Sequence, residues 1–201
     1  MSQTTLSLNS ITLPRGVVRE LRAEFRAGVH LIVGPNGIGK TSLLNAIAGT
    51  LPLRAGSITF NGAPLAPGSN QVVLAPNTPP EIPWIRAGLL LDFIVSLYPA
   101  TRRDAPSARA IIDGLGIEGF LTAPLGTLSA GTARKLLLAA ALIAAPPVLL
   151  FDEPTNEIDL ASVAVLLEFL RDAARERVVL ITTHHATDLA TLQPGVLNLT
   201  P

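Results

Sequence analysis

Gly34-Pro35-Asn36-Gly37-Ile38-Gly39-Lys40-Thr41 has the spacing G-x-x-x-x-G-K-[ST], and Ser42 follows it. Residues of these types in this order can grip a chain of phosphates. The glycines let backbone N–H groups turn inward around phosphate oxygens, and a helix starting at the end of the loop adds the partial positive charge of its N-terminus. Lys40 is placed to reach the β- and γ-phosphates, and the Thr41 hydroxyl to ligate Mg²⁺. The flanks fit. His30–Leu31–Ile32–Val33 reads as a short central strand, and Leu43, Leu44 and Ile47 repeat at helical spacing up to Gly49.

A second constellation lies far along the chain. Val148-Leu149-Leu150-Phe151 is an apolar run ending in two adjacent carboxylates, Asp152 and Glu153, and then Pro154. A strand so apolar belongs inside a sheet, so both acids emerge at its carboxyl end, where α/β sheets bind their ligands. Asp152 is positioned to hold Mg²⁺ directly or through water, and Glu153 to take a proton from an attacking water. Guanine-specific switch proteins read their base with Asn-Lys-x-Asp, and neither Lys40 nor Lys135, the only two lysines, lies in that setting.

The elements that must hold these residues follow from periodicity. Thr4 to Phe25 alternates apolar and polar positions (Leu6, Leu8, Ile11, Leu13, then Val17, Leu21, Phe25), the pattern of antiparallel strands with one wet face, with Pro14-Arg15-Gly16 as a turn. Ser57–Phe60 with Asn61-Gly62 predicts a strand and a tight turn, and Gln71–Ala75 another strand. From Arg86 to about Gly119 the spacing is helical, interrupted by Pro99, Gly114 and Gly116 and entered through Pro76, Pro79, Pro80 and Pro83. After Ser129, helical and strand patterns alternate: Thr132–Ala145, Val148–Phe151, Leu160–Ala174, Val178–Thr182 and Ala186–Leu192. Such alternation predicts a mostly parallel sheet covered by helices. The 201 residues therefore read as one α/β domain, with a core over about 1–77 and 129–201 and an inserted helical lobe over about 78–128.

Composition narrows the classes. Hydrophobic residues make up 48% and charged residues only 15%, which excludes a disordered chain. Fifteen basic residues balance fifteen acidic ones, so binding nucleic acid through bulk positive charge is not expected. There is no cysteine, which removes disulfide scaffolds, cysteine zinc sites and thiol catalysis. The opening MSQTTLSLNS lacks the basic and apolar stretches of a secretory signal, and Leu136–Phe151 is too short to span a bilayer. A cytosolic chain is expected, with that apolar run forming a buried helix and strand.

Between the two constellations stands Leu128-Ser129-Ala130-Gly131-Thr132-Ala133-Arg134-Lys135, where Ser129 can cap a helix whose N-terminus would attract an anion. Here the sequence resembles, over nearly its whole length, the ATP-binding subunits of ABC transporters, whose signature is LSGGQ. The resemblance implies a P-loop NTPase core with a mostly parallel sheet, an N-terminal antiparallel β subdomain and an inserted α-helical lobe. It implies ATP and Mg²⁺ as ligands and a head-to-tail dimer in which Ser129 and Gly131 contact the γ-phosphate held by the other subunit. Asn156-Glu157-Ile158-Asp159 stands where the family has its D-loop, so Asp159 falls at the dimer interface. Thr183-His184 matches the switch histidine, which would bond the γ-phosphate and help orient Glu153 and the water; the adjacent His185 is the alternative. Asn77 stands where the family's Q-loop has a glutamine that contacts Mg²⁺ and the attacking water.

Departures accompany the match. Asn77 is one methylene shorter than glutamine, Ala130 and Thr132 replace a glycine and the glutamine of the signature, and no aromatic in Ile11–Arg15 can stack on adenine, leaving Leu13 or Arg15 to cover it. The resemblance further implies a second copy or a paralogous ATPase subunit as partner, integral membrane transporter subunits as clients, and attachment to the inner face of the cell membrane through them. Leu89–Tyr98 resembles cassettes serving exporters, including the short haem-exporter type. Trp84 either packs the lobe onto the sheet or meets a partner. Two other functions compete: a soluble cassette acting on nucleic acid or ribosomes, and a nucleotide-binding regulatory module with little turnover.

Overall fold

Strands that are apolar at nearly every position have to be covered on both faces. In the computed structural model, which describes residues 4–14, 18–98, 106–184 and 186–200, such strands form one parallel sheet of five, the fifth an exposed edge strand. They are β3 (Gly28–Val33), β6 (Val72–Ala75), β7 (Val148–Asp152), β8 (Val178–Thr182) and β9 (Gly195–Asn198), in the order β6-β7-β8-β3-β9. Period-two alternation sends successive residues to opposite faces and so builds two cores. Val73, Leu149, Phe151, Val179 and Ile181 pack with helices α2 (Ala87–Ser96), α3 (Pro106–Gly114), α4 (Ala130–Ala144) and α5 (Leu160–Ala173). Val72, Val148, Leu150, Val178 and Leu180 pack instead with α1 (Lys40–Ile47) and the second sheet.

That second sheet is antiparallel, in the order β2 (Leu21–Arg26), β1 (Thr5–Thr12), β4 (Ala55–Phe60), β5 (Ala63–Pro64). The apolar set Leu6, Leu8, Ile11, Leu13 breaks strict alternation between Leu8 and Ile11. The register shifts there against β2, with Ser10 at φ 50°, so the extra residue is a β-bulge that returns Ile11 to the buried face. Asn61 and Gly62 both take positive φ, 50° and 81°, as a two-residue hairpin turn requires. Arg15, Gly16 and Val17 of the expected turn and second strand lie outside the described residues.

The apolar run from Leu136 divides as its proline pair demands: α4 ends at Ala144 and β7 begins at Val148. The helical pattern over Ala186–Leu192 is a 3-10 helix. A short edge strand, β9, follows it and pairs parallel to β3, although its sequence carries no β-branched run. Pairing with β3 supplies what local propensity lacks. Helices α2 and α3 both pack on α4, so the inserted helical section leans on the helix that opens at Ala130. Among the described residues no helix is long and apolar enough to cross a membrane.

Candidate functional site

The parallel register brings the loop after β3 and the end of β7 to the same edge of the sheet, with β8 between them. Gly39 is the N-cap of α1 at φ 114°, a conformation costly for any residue with a Cβ. Lys40 is 7% exposed, and its ammonium curls back to donate to the carbonyl oxygens of Gly34 at 2.8 Å and Pro35 at 3.3 Å. Thr41 donates its hydroxyl to both carboxylate oxygens of Asp152, at 3.1 and 3.0 Å. Thr182, fully buried at the end of β8, donates to Oδ1 of Asp152 at 2.5 Å.

Glu153 follows with φ 52°, a left-handed conformation that costs on the order of 1–3 kcal/mol in a non-glycine residue and survives only where neighbours hold it. Its N–H donates to the carbonyl of Thr182 at 3.0 Å. The carboxylate is buried, and His184 holds it twice, through its backbone N–H at 3.1 Å and through Nε2 at 3.1 Å. Asp152 therefore faces the loop of Thr41, while the turn at Glu153 points the second carboxylate towards the loop after β8.

These groups line one cavity of about 410 Å³, shared by Asn36, Gly37, Gly39, Lys40, Thr41, Ser42, Asn77, Asp152, Glu153, Asn156 and His184. Of the residues expected at a phosphate cradle, three differ. The Ile38 side chain lies in the second core, and Gly34 and Pro35 present carbonyls to Lys40 without lining the cavity. Leu13 is buried in that core beneath Gly39, and Arg15 and His185 lie outside the described residues. The donors nearest a cation position, the Thr41 hydroxyl and the Asp152 carboxylate, are hard oxygen ligands within 3.1 Å of each other. That set suits Mg²⁺, which keeps several waters and shares its remaining positions with phosphate.

Ser129 and Gly131 are not in this cavity. Ser129 caps α4, accepting from the Thr132 N–H at 3.1 Å, and its hydroxyl also bonds that of Thr132 at 2.8 Å. Asp159 caps α5 through Ser162 and pairs with Lys135 at 3.2 Å, and these contacts hold its carboxyl below the usual carboxylate range. Trp84 does not pack the lobe onto the sheet: it stands 72% exposed, near Leu89, Phe93 and Leu97 in the sequence, all three exposed as well.

Sequence reasoning passed over Thr182 and Arg134, and gave Asn156 to the D-loop without placing it in this cavity. Thr182 looks like an ordinary strand end until β7 and β8 are aligned. Arg134 was legible: Leu137, Leu138 and Ala141 follow at helical spacings of three, four and seven, so it lies in the apolar stripe of α4.

The comparisons agree with this geometry. The family model described as "ABC transporter" matches residues 19–156. A cytochrome c biogenesis ATP-binding export protein, CcmA, from Pseudomonas putida is 34% identical over 186 residues, covering 87% of this chain and 85% of that one. An aliphatic sulfonates import ATP-binding protein, SsuB 2, from Burkholderia cenocepacia is 32% identical, covering 88% of this chain and 65% of that one. A solved ATP-binding subunit of an ABC transporter superposes with a TM-score of 0.87 at 21% identity, over 96% of this chain and 85% of its own, a likeness of fold. The chain belongs to the ABC transporter family, as one of its single-cassette ATP-binding subunits. Members of that class are ATPases.

Proposed function

We propose that this chain hydrolyses ATP with Mg²⁺ inside a head-to-tail dimer and so drives a membrane transporter. The observation that carries the reading is the meeting of Thr41 with Asp152 across 111 positions of sequence, beside a carboxylate held by His184. Gly34–Ser42 grips the triphosphate, with Lys40 on its outer phosphates and Asn77 beside them. Thr41 and Asp152, joined by Asn77, hold Mg²⁺, which supplies charge neutralisation at the phosphates. Glu153 accepts the proton of the attacking water, and His184 orients it. Ser129 and Gly131 stand outside their own cavity, which supports their serving the nucleotide of the other copy, with Asp159 at the shared interface. Closing the pair excludes water and completes each site.

The partners in this reading are a second copy or a paralogous ATPase subunit, and integral membrane subunits that place the chain at the cytoplasmic face of the membrane. The helical lobe over 78–128, with Trp84 exposed at its entrance, is the surface for them. One relative serves export and another import by their names. The Thr132 hydroxyl on Ser129 and the short Asn77 favour, as a second reading, a nucleotide-binding module of low turnover.

Glu153→Gln tests the first reading. With ATP and Mg²⁺ the variant should dimerise in light scattering while its turnover falls about tenfold or more. Cysteines introduced as Asn36→Cys and Ala130→Cys, in a chain that has none of its own, should crosslink across copies only with ATP. A variant that stays monomeric and never crosslinks sinks the dimer, and unchanged turnover removes Glu153 as the base.

A further inference from the structure

Arg134 is 1% exposed, a cation with almost no contact with water. Its Nη1 donates to the carbonyl oxygen of Pro76, and its Nη2 donates to the carbonyl oxygens of Asp152 and of Glu153, the last at 2.6 Å. A buried guanidinium needs partners for its donors: Nη1 and Nη2 of Arg134 find three backbone oxygens in place of any carboxylate, while its Nε is buried without a hydrogen-bond partner. Two of those oxygens belong to the residues carrying the metal-facing acid and the strained turn at φ 52°. The third belongs to the residue before Asn77. The base of the fork is α4, five positions after Ser129.

We propose that Arg134 is a positioning residue that ties the signature helix to its own chain's catalytic turn and to the Asn77 loop, so that displacement of α4 is delivered to Glu153. This rests on the ATPase reading above. The planar fork is what permits it: two nitrogens on one rigid plane hold the ends of β6 and β7 at once, which a single ammonium cannot do. Burial lowers the pKa of the guanidinium by more than the charges of Asp152, Glu157 and Glu153 raise it, and arginine's intrinsic basicity keeps the cation.

The test is a series of Arg134→Lys, Arg134→Gln and Arg134→Met in the full chain. In steady-state ATPase assays, kcat should fall about 10- to 100-fold in the Met and Gln variants while KM for ATP stays within about threefold, and Lys should recover part of kcat. Hydrogen exchange read by mass spectrometry supplies an arm that needs no turnover. Peptides covering 74–80 and 152–158 should lose protection in Arg134→Met, while those of α1 and the second half of α4 keep theirs. Wild-type kcat in a folded Met variant, a rise in KM in place of a fall in kcat, or unchanged exchange at both segments each overturns the proposal. So does failure of all three variants to fold, because the guanidinium would then hold the whole chain rather than the site. Absence of turnover in the wild type would defeat the ATPase reading alone, and the exchange result would still decide the tie.

Discussion

A Cβ on Gly131 would lie 2.3 Å from the main-chain oxygen of Glu157. The glycine kept from the signature is therefore required within its own chain, by the loop that runs from Glu153 to Asp159, before any partner's phosphate is considered. Glu157 itself has φ 62°, so that loop has little freedom to retreat. Ala130, one position earlier, is the first residue of α4 and takes helical dihedrals, which is why alanine is accepted there.

Gly131→Ala should consequently lower stability as well as activity. Forcing a methyl against a fixed carbonyl is an overpacking defect of about 1–3 kcal/mol, or on the order of 2–10 °C in Tm for a chain of this size. Thermal denaturation of the nucleotide-free protein measures it. An unchanged Tm with lost ATPase activity would instead assign the glycine wholly to the partner's nucleotide.

Asp159 gives a pH dependence with a definite sign. Hydrogen bonds from the backbone and hydroxyl of Ser162, and then the Lys135 contact, hold its carboxyl below its ordinary value. The folded pKa is depressed, so the contribution to stability is present in full above the unfolded value of about 3.9 and is lost as pH falls below it. Asp159→Asn keeps a side-chain oxygen for the cap but no titratable charge. Between pH 5 and 3 its Tm should fall less steeply than that of the wild type; parallel curves would show that the carboxylate contributes nothing there.

Asn77 lies in the shared cavity but exposed, one methylene short of a glutamine. If reach limits it, Asn77→Gln should hold or raise kcat for ATP, up to about tenfold. Complete loss of turnover would show that the shorter amide is the one this cavity is shaped for.

How much of this was legible in the residue order depends on how local each signal is. The loop Gly34–Thr41 is a contiguous motif whose glycine backbone and lysine side chain lie in one short stretch, so it needed no distant residue to be recognised. The apolar strands and the cap at Ser129 are local for the same reason. β9 was not, because its stability comes from pairing with β3 and not from its own propensities. Nor was Thr182, whose hydroxyl matters only because β7 and β8 run parallel in register and set it 2.5 Å from Asp152.

The order of amino acids by itself determined the two-faced sheet, the glycine-and-lysine loop and the paired acids, since period and spacing are properties of short stretches, and the segment Leu128–Lys135 carried the resemblance to the family. Tertiary structure alone decided that Arg134 fastens three carbonyls from two strand ends, that Gly131 is held by Glu157, and that His184 grips Glu153 from both backbone and ring. Each of those joins residues whose separation along the chain says nothing about distance, and only the folding of the sheet and its helices brings them within reach of a hydrogen bond.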